Sequence, residues 1–162
     1  MPDATFLCPN APEICSLNPQ GYQWFDLSEE KAEAILEKSL KAEEKLNKYL
    51  EQILDSLKLE PINLALIGFS QGCMISIQVA LKQRIKINCL IGYSGKIINQ
   101  KHIQDNINSR PKIFLMHGES DTIVSPIYLL EAKEYLKKNK INVKNKIFKN
   151  CEHTIPVEGS SL

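Results

Sequence analysis

Three residue types that cooperate in nucleophilic catalysis stand at widely separated loop positions in this chain: Ser70, Asp121 and His153. Ser70 lies in Gly68-Phe69-Ser70-Gln71-Gly72, between a short apolar run, Leu64-Ala65-Leu66-Ile67, and a segment, 74–81, whose apolar residues recur with helical spacing. A Gly-x-Ser-x-Gly turn between strand and helix is a nucleophile elbow, which holds the hydroxyl above the sheet edge in a strained backbone conformation. Glycine is expected on both sides, because a side chain at Gly68 or Gly72 would collide with the neighbouring strand or helix. The amide of Gln71, at the helix start, would point at an oxyanion formed on a substrate attacked by Ser70.

A serine hydroxyl is too weakly acidic to attack a carbonyl unaided. An imidazole can remove its proton near neutral pH, and a carboxylate can fix the imidazole tautomer and stabilise its charged form. Asp121 and His153 suit these roles, since each follows a predicted strand, 112–116 and 143–148, and a parallel sheet brings such loops to one rim. The competitors are weaker. His117 precedes Asp121 in the same loop and reads as a structural residue ending its strand, while His102 stands among Lys, Gln and Asp as a solvated surface residue. Glu119 and Glu152 are expected to be exposed. Cys73 and Cys151 lie outside the elbow and read as a buried helix thiol and a loop thiol.

The elements that must hold these residues alternate. Residues 1–8 read as a short strand stopped by Pro9-Asn10-Ala11-Pro12, and a loop runs on to Asp26. Within it Trp24 and Phe25 either cap the core or wall an apolar substrate site, with Ile123 a third candidate for that wall. Residues 28–59 form the strongest predicted helix, with Asp26 or Ser28 as cap and Glu29 and Glu30 at the positive end of its dipole. Its stripe, Ile35, Leu36, Leu40, Leu46, Leu50, Ile53, Leu54 and Leu57, is interrupted by Glu43. Residues 64–67 and 87–93 read as strands buried on both faces, 97–110 as a linker or short helix, and Ser125-Pro126 as the opening of a helix to about Lys138. Residues 143–148 alternate apolar and basic, as an edge strand does. This alternation predicts βαβ units and an α/β fold with a mainly parallel sheet flanked by helices.

Size and composition narrow the function classes. The 162 residues suffice for one domain, 1–162, and 43% hydrophobic with 24% charged residues is the composition of a globular protein. A net charge of +1 provides no electrostatic footprint for nucleic acid or anionic lipid. No run approaches a membrane span, and no basic segment followed by an apolar core opens the chain. Five cysteines, odd in number and without paired spacing, fit reduced thiols, so the expected location is cytoplasmic.

The chain resembles the phospholipase/carboxylesterase family, also called the acyl-protein thioesterase family, of the α/β-hydrolases. The matching residues, in family order, are Pro9-Asn10-Ala11-Pro12, Trp24-Phe25-Asp26, Gly68-Phe69-Ser70-Gln71-Gly72, Ser94-Gly95, His117-Gly118 through Asp121 and Val124, and His153. The resemblance implies the α/β-hydrolase fold and hydrolysis of carboxylic esters or thioesters of small or acyl substrates, by a serine acyl-enzyme route without metal or organic cofactor. It assigns nucleophile, acid and base to Ser70, Asp121 and His153, and one oxyanion amide to Gln71. It also implies first strands with a His-Gly-rich loop, ahead of the position of Met1, and a helix after the histidine loop; the chain is expected to lack both. Glu152 stands where the family usually has glycine. An inactive remnant and a non-catalytic binding module of the same fold are the alternative readings. Acyl length, ester against thioester preference and oligomeric state are left open.

Overall fold

The computed structural model describes residues 4–28, 31–82 and 86–160. Four strands, β3 (Ala65–Phe69), β4 (Cys89–Tyr93), β5 (Lys112–Gly118) and β6 (Val143–Phe148), pair in parallel in the order β3-β4-β5-β6. Each is joined to the next by a helical crossover: α2 (Gln71–Lys82), the short α3 (Gln100–Gln104), and α4 (Ile127–Lys138). This is the parallel, helix-flanked sheet of the expected α/β-hydrolase fold.

The pleat separates two apolar layers. Leu66, Leu90 and Ile113 share one register row and pack with α2, α4 and α1 (Ala32–Leu57) into the main core. On the opposite face Tyr93, Met116, Phe148 and Cys151 form a smaller cluster, with Phe69, Ile91 and Phe114 against it. At β3 this second face is open: Ile67 is 60% exposed, against the expectation of a strand buried on both faces. The cause is position, because β3 is an edge strand and nothing among the described residues covers that end of the sheet.

Several local expectations shift. The long helix starts at Ala32 with Lys31 as a cap lacking a side-chain bond. Ser28 instead donates its amide and hydroxyl to the Asp26 carboxylate, at 2.9 and 2.7 Å, closing a turn ahead of the helix. Glu29 and Glu30 lie outside the described residues. The segment read as a loop up to Asp26 contains an antiparallel hairpin, β1 (Glu13–Cys15) with β2 (Asn18–Gln23), which Pro19 and Gly21 disguise as turn sequence. Ala4 to Cys8 is not a strand; a strand needs a neighbour to bond, and no described segment runs beside it, while residues 1–3 lie outside the described part. After the histidine loop comes a single helical turn, α5 (Val157–Ser160), where no helix was expected.

Glu43, the break in the stripe of α1, is buried and paired. Its carboxylate accepts from Gln78 Nε2 at 2.6 Å and from Lys82 Nζ at 2.7 Å, and so ties α1 to α2. Lys82 Nζ also sits 3.3 Å from His102 Nε2, which makes His102 a half-buried member of this network and not a solvated surface residue. A carboxylate removed from water needs such partners. No helix among the described residues is long and apolar enough to cross a membrane.

Candidate active site

β3 ends at Phe69, α2 begins at Gln71, and Ser70 between them has φ 52°, the left-handed region that a non-glycine residue occupies only when its surroundings hold it there. Two backbone bonds hold it. Ser70 N–H donates to the Tyr93 carbonyl at 2.9 Å, and Met74 N–H to the Ser70 carbonyl at 3.1 Å. Gly68 is required, since a Cβ there would run into the Gly72 carbonyl and lie 2.6 Å from the Cys73 nitrogen. Gly72 is not: the nearest atom to its Cβ position is Trp24 Nε1 at 3.8 Å, so the expected collision is absent. The side chain of Cys73 fills the space left by Gly92 and Gly95. Burial pushes its thiol up to about 12, which leaves it unreactive.

Asp121 is held from all sides. Its Oδ1 accepts from the amides of Ile123 and Val124 at 3.0 and 2.9 Å, and its Oδ2 faces His153 Nδ1 at 2.7 Å and His117 Nε2 at 3.2 Å. Burial alone would raise its pKa, but the bonds from His153, Val124 and Ile123 outweigh that and hold it below the ordinary carboxylate value. An ionised carboxylate only accepts, so His153 carries its proton on Nδ1 and leaves Nε2 with a free lone pair. His117 is fixed the other way. Its Nε2 lies 2.8 Å from the Val124 carbonyl as well as close to Asp121, both acceptors, so the proton is on Nε2.

Ser70, Asp121 and His153 follow the carboxyl ends of β3, β5 and β6 and therefore share one rim. β3 and β6 are the two edges of the sheet, three strand spacings or about 14 Å apart. The histidine loop must swing back across the end of β5. Gly118 permits this, because a Cβ there would strike the carbonyls of Cys151 and Glu152. The His153 ring thereby reaches Phe69, next to Ser70, with ring centroids 4.8 Å apart. Asp121 and His153 are hydrogen-bonded; no bond joins the Ser70 hydroxyl to His153 among the described residues. Serine–histidine contacts are often long before substrate binds.

The remaining expectations divide. Glu119 and Glu152 are exposed, as anticipated. Trp24 is half-buried beside the elbow and Ile123 is 73% exposed on the rim, positions open to a ligand. Phe25 has no exposed surface and belongs to the core, so it cannot wall a site. Two functional contacts escaped sequence reasoning: the His117 bond to Asp121, for which their four-residue spacing was the available signal, and the side-chain bonds of Gln71 to Trp24 and Phe25.

Residues 1–160 match the family model described as Phospholipase/Carboxylesterase. Acyl-protein thioesterase 1 of Saccharomyces cerevisiae is 27% identical over 97% of this chain and 74% of its own length. The Kluyveromyces lactis acyl-protein thioesterase 1 is 25% identical over 82% of this chain, and the match spans 62% of that relative's length. Among solved structures, the crystal structure of esterase PE8 superposes with a TM-score of 0.89 at 32% identity, covering 94% of this chain and 72% of that one. The Bacillus cereus carboxylesterase, at 18% identity and TM-score 0.65 over 77% of this chain and 59% of its own, shares the fold. With the family match running over nearly every residue and the elbow, carboxylate and imidazole loops all in place, the chain belongs to the phospholipase/carboxylesterase family.

Proposed function

We propose that this chain is a serine hydrolase that cleaves carboxylic esters or thioesters of small or acyl substrates through an acyl-enzyme intermediate. The observation that carries this is the half-buried Asp121–His153 bond at 2.7 Å, on the rim where Ser70 is held at positive φ. With Nδ1 committed to Asp121, His153 Nε2 takes the proton of Ser70 as Oγ attacks the acyl carbon. The tetrahedral oxyanion accepts a hydrogen bond from the Gln71 backbone N–H. His153 then gives its proton to the leaving alcohol or thiol, and water, activated by the same nitrogen, releases the acid. Asp121 stays ionised throughout and stabilises the imidazolium. Trp24 and Ile123 flank the acyl group.

The test is turnover of p-nitrophenyl acetate and butyrate by the purified, folded protein, with Ser70→Ala abolishing it. A folded protein without turnover rejects this reading. That result would favour the second reading, a binding module, for which the open edge of β3 and the exposed Ile67 are the supporting observations.

A further inference from the structure

The side chain of Gln71 makes a two-point link that the chemistry above does not use. Its Oε1 accepts from the backbone N–H of Trp24 at 3.1 Å and its Nε2 donates to the Phe25 carbonyl at 3.0 Å, across 47 and 46 residues of sequence. One carboxamide thus does what a neighbouring strand would do, offering an acceptor and a donor to adjacent backbone groups. The same residue carries the first amide of α2 after Ser70. Phe25 is fully buried and anchors the segment, while the indole nitrogen of Trp24 lies 3.8 Å from the Cβ position of Gly72, on the second residue of α2. The absence of a side chain at Gly72 leaves that face of α2 open to the indole.

Resting on the hydrolase reading above, we infer that the Gln71 carboxamide is a positioning residue that sets acyl selectivity by clamping Trp24 to the elbow. The oxyanion amide and the wall of the acyl site then move as one piece. Glutamine is the residue type the link requires. Glutamate offers no donor to the Phe25 carbonyl, methionine offers neither group, and asparagine is one methylene too short to bridge both. Losing the clamp leaves the backbone amide of residue 71 in the chain but frees the indole, so an acyl chain long enough to touch Trp24 is penalised more than an acetyl group.

Trp24 is the single tryptophan of the sequence, so its emission reports the clamp directly. The experiment compares the unsubstituted protein with Gln71→Met in two measurements: tryptophan emission of the free protein, and kcat/KM for p-nitrophenyl esters from acetate to octanoate. In Gln71→Met the emission shifts to longer wavelength as the indole meets water, and the octanoate-to-acetate ratio of kcat/KM falls about tenfold, the scale of a lost apolar wall contact. Gln71→Asn, which keeps one of the two bonds, gives both effects at smaller amplitude and serves if the methionine variant does not fold. A uniform loss across all chain lengths, with unmoved emission, overturns the inference and reduces Gln71 to a structural residue. If the unsubstituted protein turns over no ester, the proposed function and the selectivity fall together, while the emission measurement still decides the clamp.

Discussion

Replacing Asp121 by Asn is the sharpest probe of the site, because it keeps the shape and reverses one hydrogen-bonding group. Oδ1 of the asparagine can still accept from the Ile123 and Val124 amides, which hold the side chain in its present orientation. The amide nitrogen then stands where Oδ2 was, facing His153 Nδ1 at 2.7 Å and His117 Nε2 at 3.2 Å. Three donors cannot share that space, and His153 relieves the conflict by moving its proton to Nε2. In that tautomer it has no lone pair for the Ser70 proton. A wrong tautomer of this kind lowers kcat by about 10⁴, or about 5 kcal/mol of transition-state stabilisation. Stability falls too, by roughly 1.5–3 kcal/mol for each charge-assisted bond removed. The assay is p-nitrophenyl butyrate hydrolysis at pH 7 to 8, with circular dichroism and a urea titration confirming that the variant is folded. A folded Asp121→Asn protein within tenfold of the unsubstituted kcat would refute the assignment of Asp121 as the carboxylate that orients the base.

The two elbow glycines should respond oppositely to alanine. Gly68→Ala drives a methyl into the backbone of Gly72 and Cys73, and is expected in inclusion bodies; Gly72→Ala meets nothing closer than 3.8 Å and should remain soluble, gaining up to about 1 kcal/mol in a urea titration from its place in α2. Glu43→Ala leaves Lys82 and Gln78 without their shared acceptor between α1 and α2. Its expected cost is about 3 kcal/mol in urea, the lower end for a broken buried pair because Lys82 retains some contact with water. A change below 1 kcal/mol would show that solvent replaces the carboxylate there.

What the sequence made legible follows from how local each constraint is. The elbow could be read because strand, turn and helix are consecutive, and Gly68 is needed for a clash within five residues. Asp121 and His153 were legible through chain order and strand ends. Long-range partners were not. Glu43 broke an apolar stripe, and nothing near it in sequence announced Gln78 or Lys82 as the reason. Gln71 was chosen for its backbone amide, while its carboxamide bonds to residues 24 and 25, which only the folded chain brings near. Phe25 and Trp24 look alike as neighbouring aromatics, yet in the bend that follows β2 one is core and the other half-buried, a difference only the packing of that bend decides. The hairpin over residues 13–23 stayed hidden since its strands are largely exposed and contain Pro19 and Gly21, which normally mark turns.

The acid behaviour of the protein follows from the four donors around Asp121. Burial works against its charged form, and the bonds from His153, Val124 and Ile123 more than offset it, so the folded carboxyl titrates below its unfolded counterpart. A carboxyl depressed in this way contributes stability that is fully present above the unfolded value, near 3.9. That contribution is lost as pH falls through the folded value. Between that value and neutrality Asp121 stays charged and keeps the bonds from His153, Val124 and Ile123. At lower pH the carboxylate itself is spent: the stability gap between the unsubstituted protein and Asp121→Asn should narrow as pH falls below about 4. Urea midpoints of both proteins across that range measure it, and parallel curves down to pH 2 would mean that the donors around Asp121 hold the loop together without favouring its ionised form.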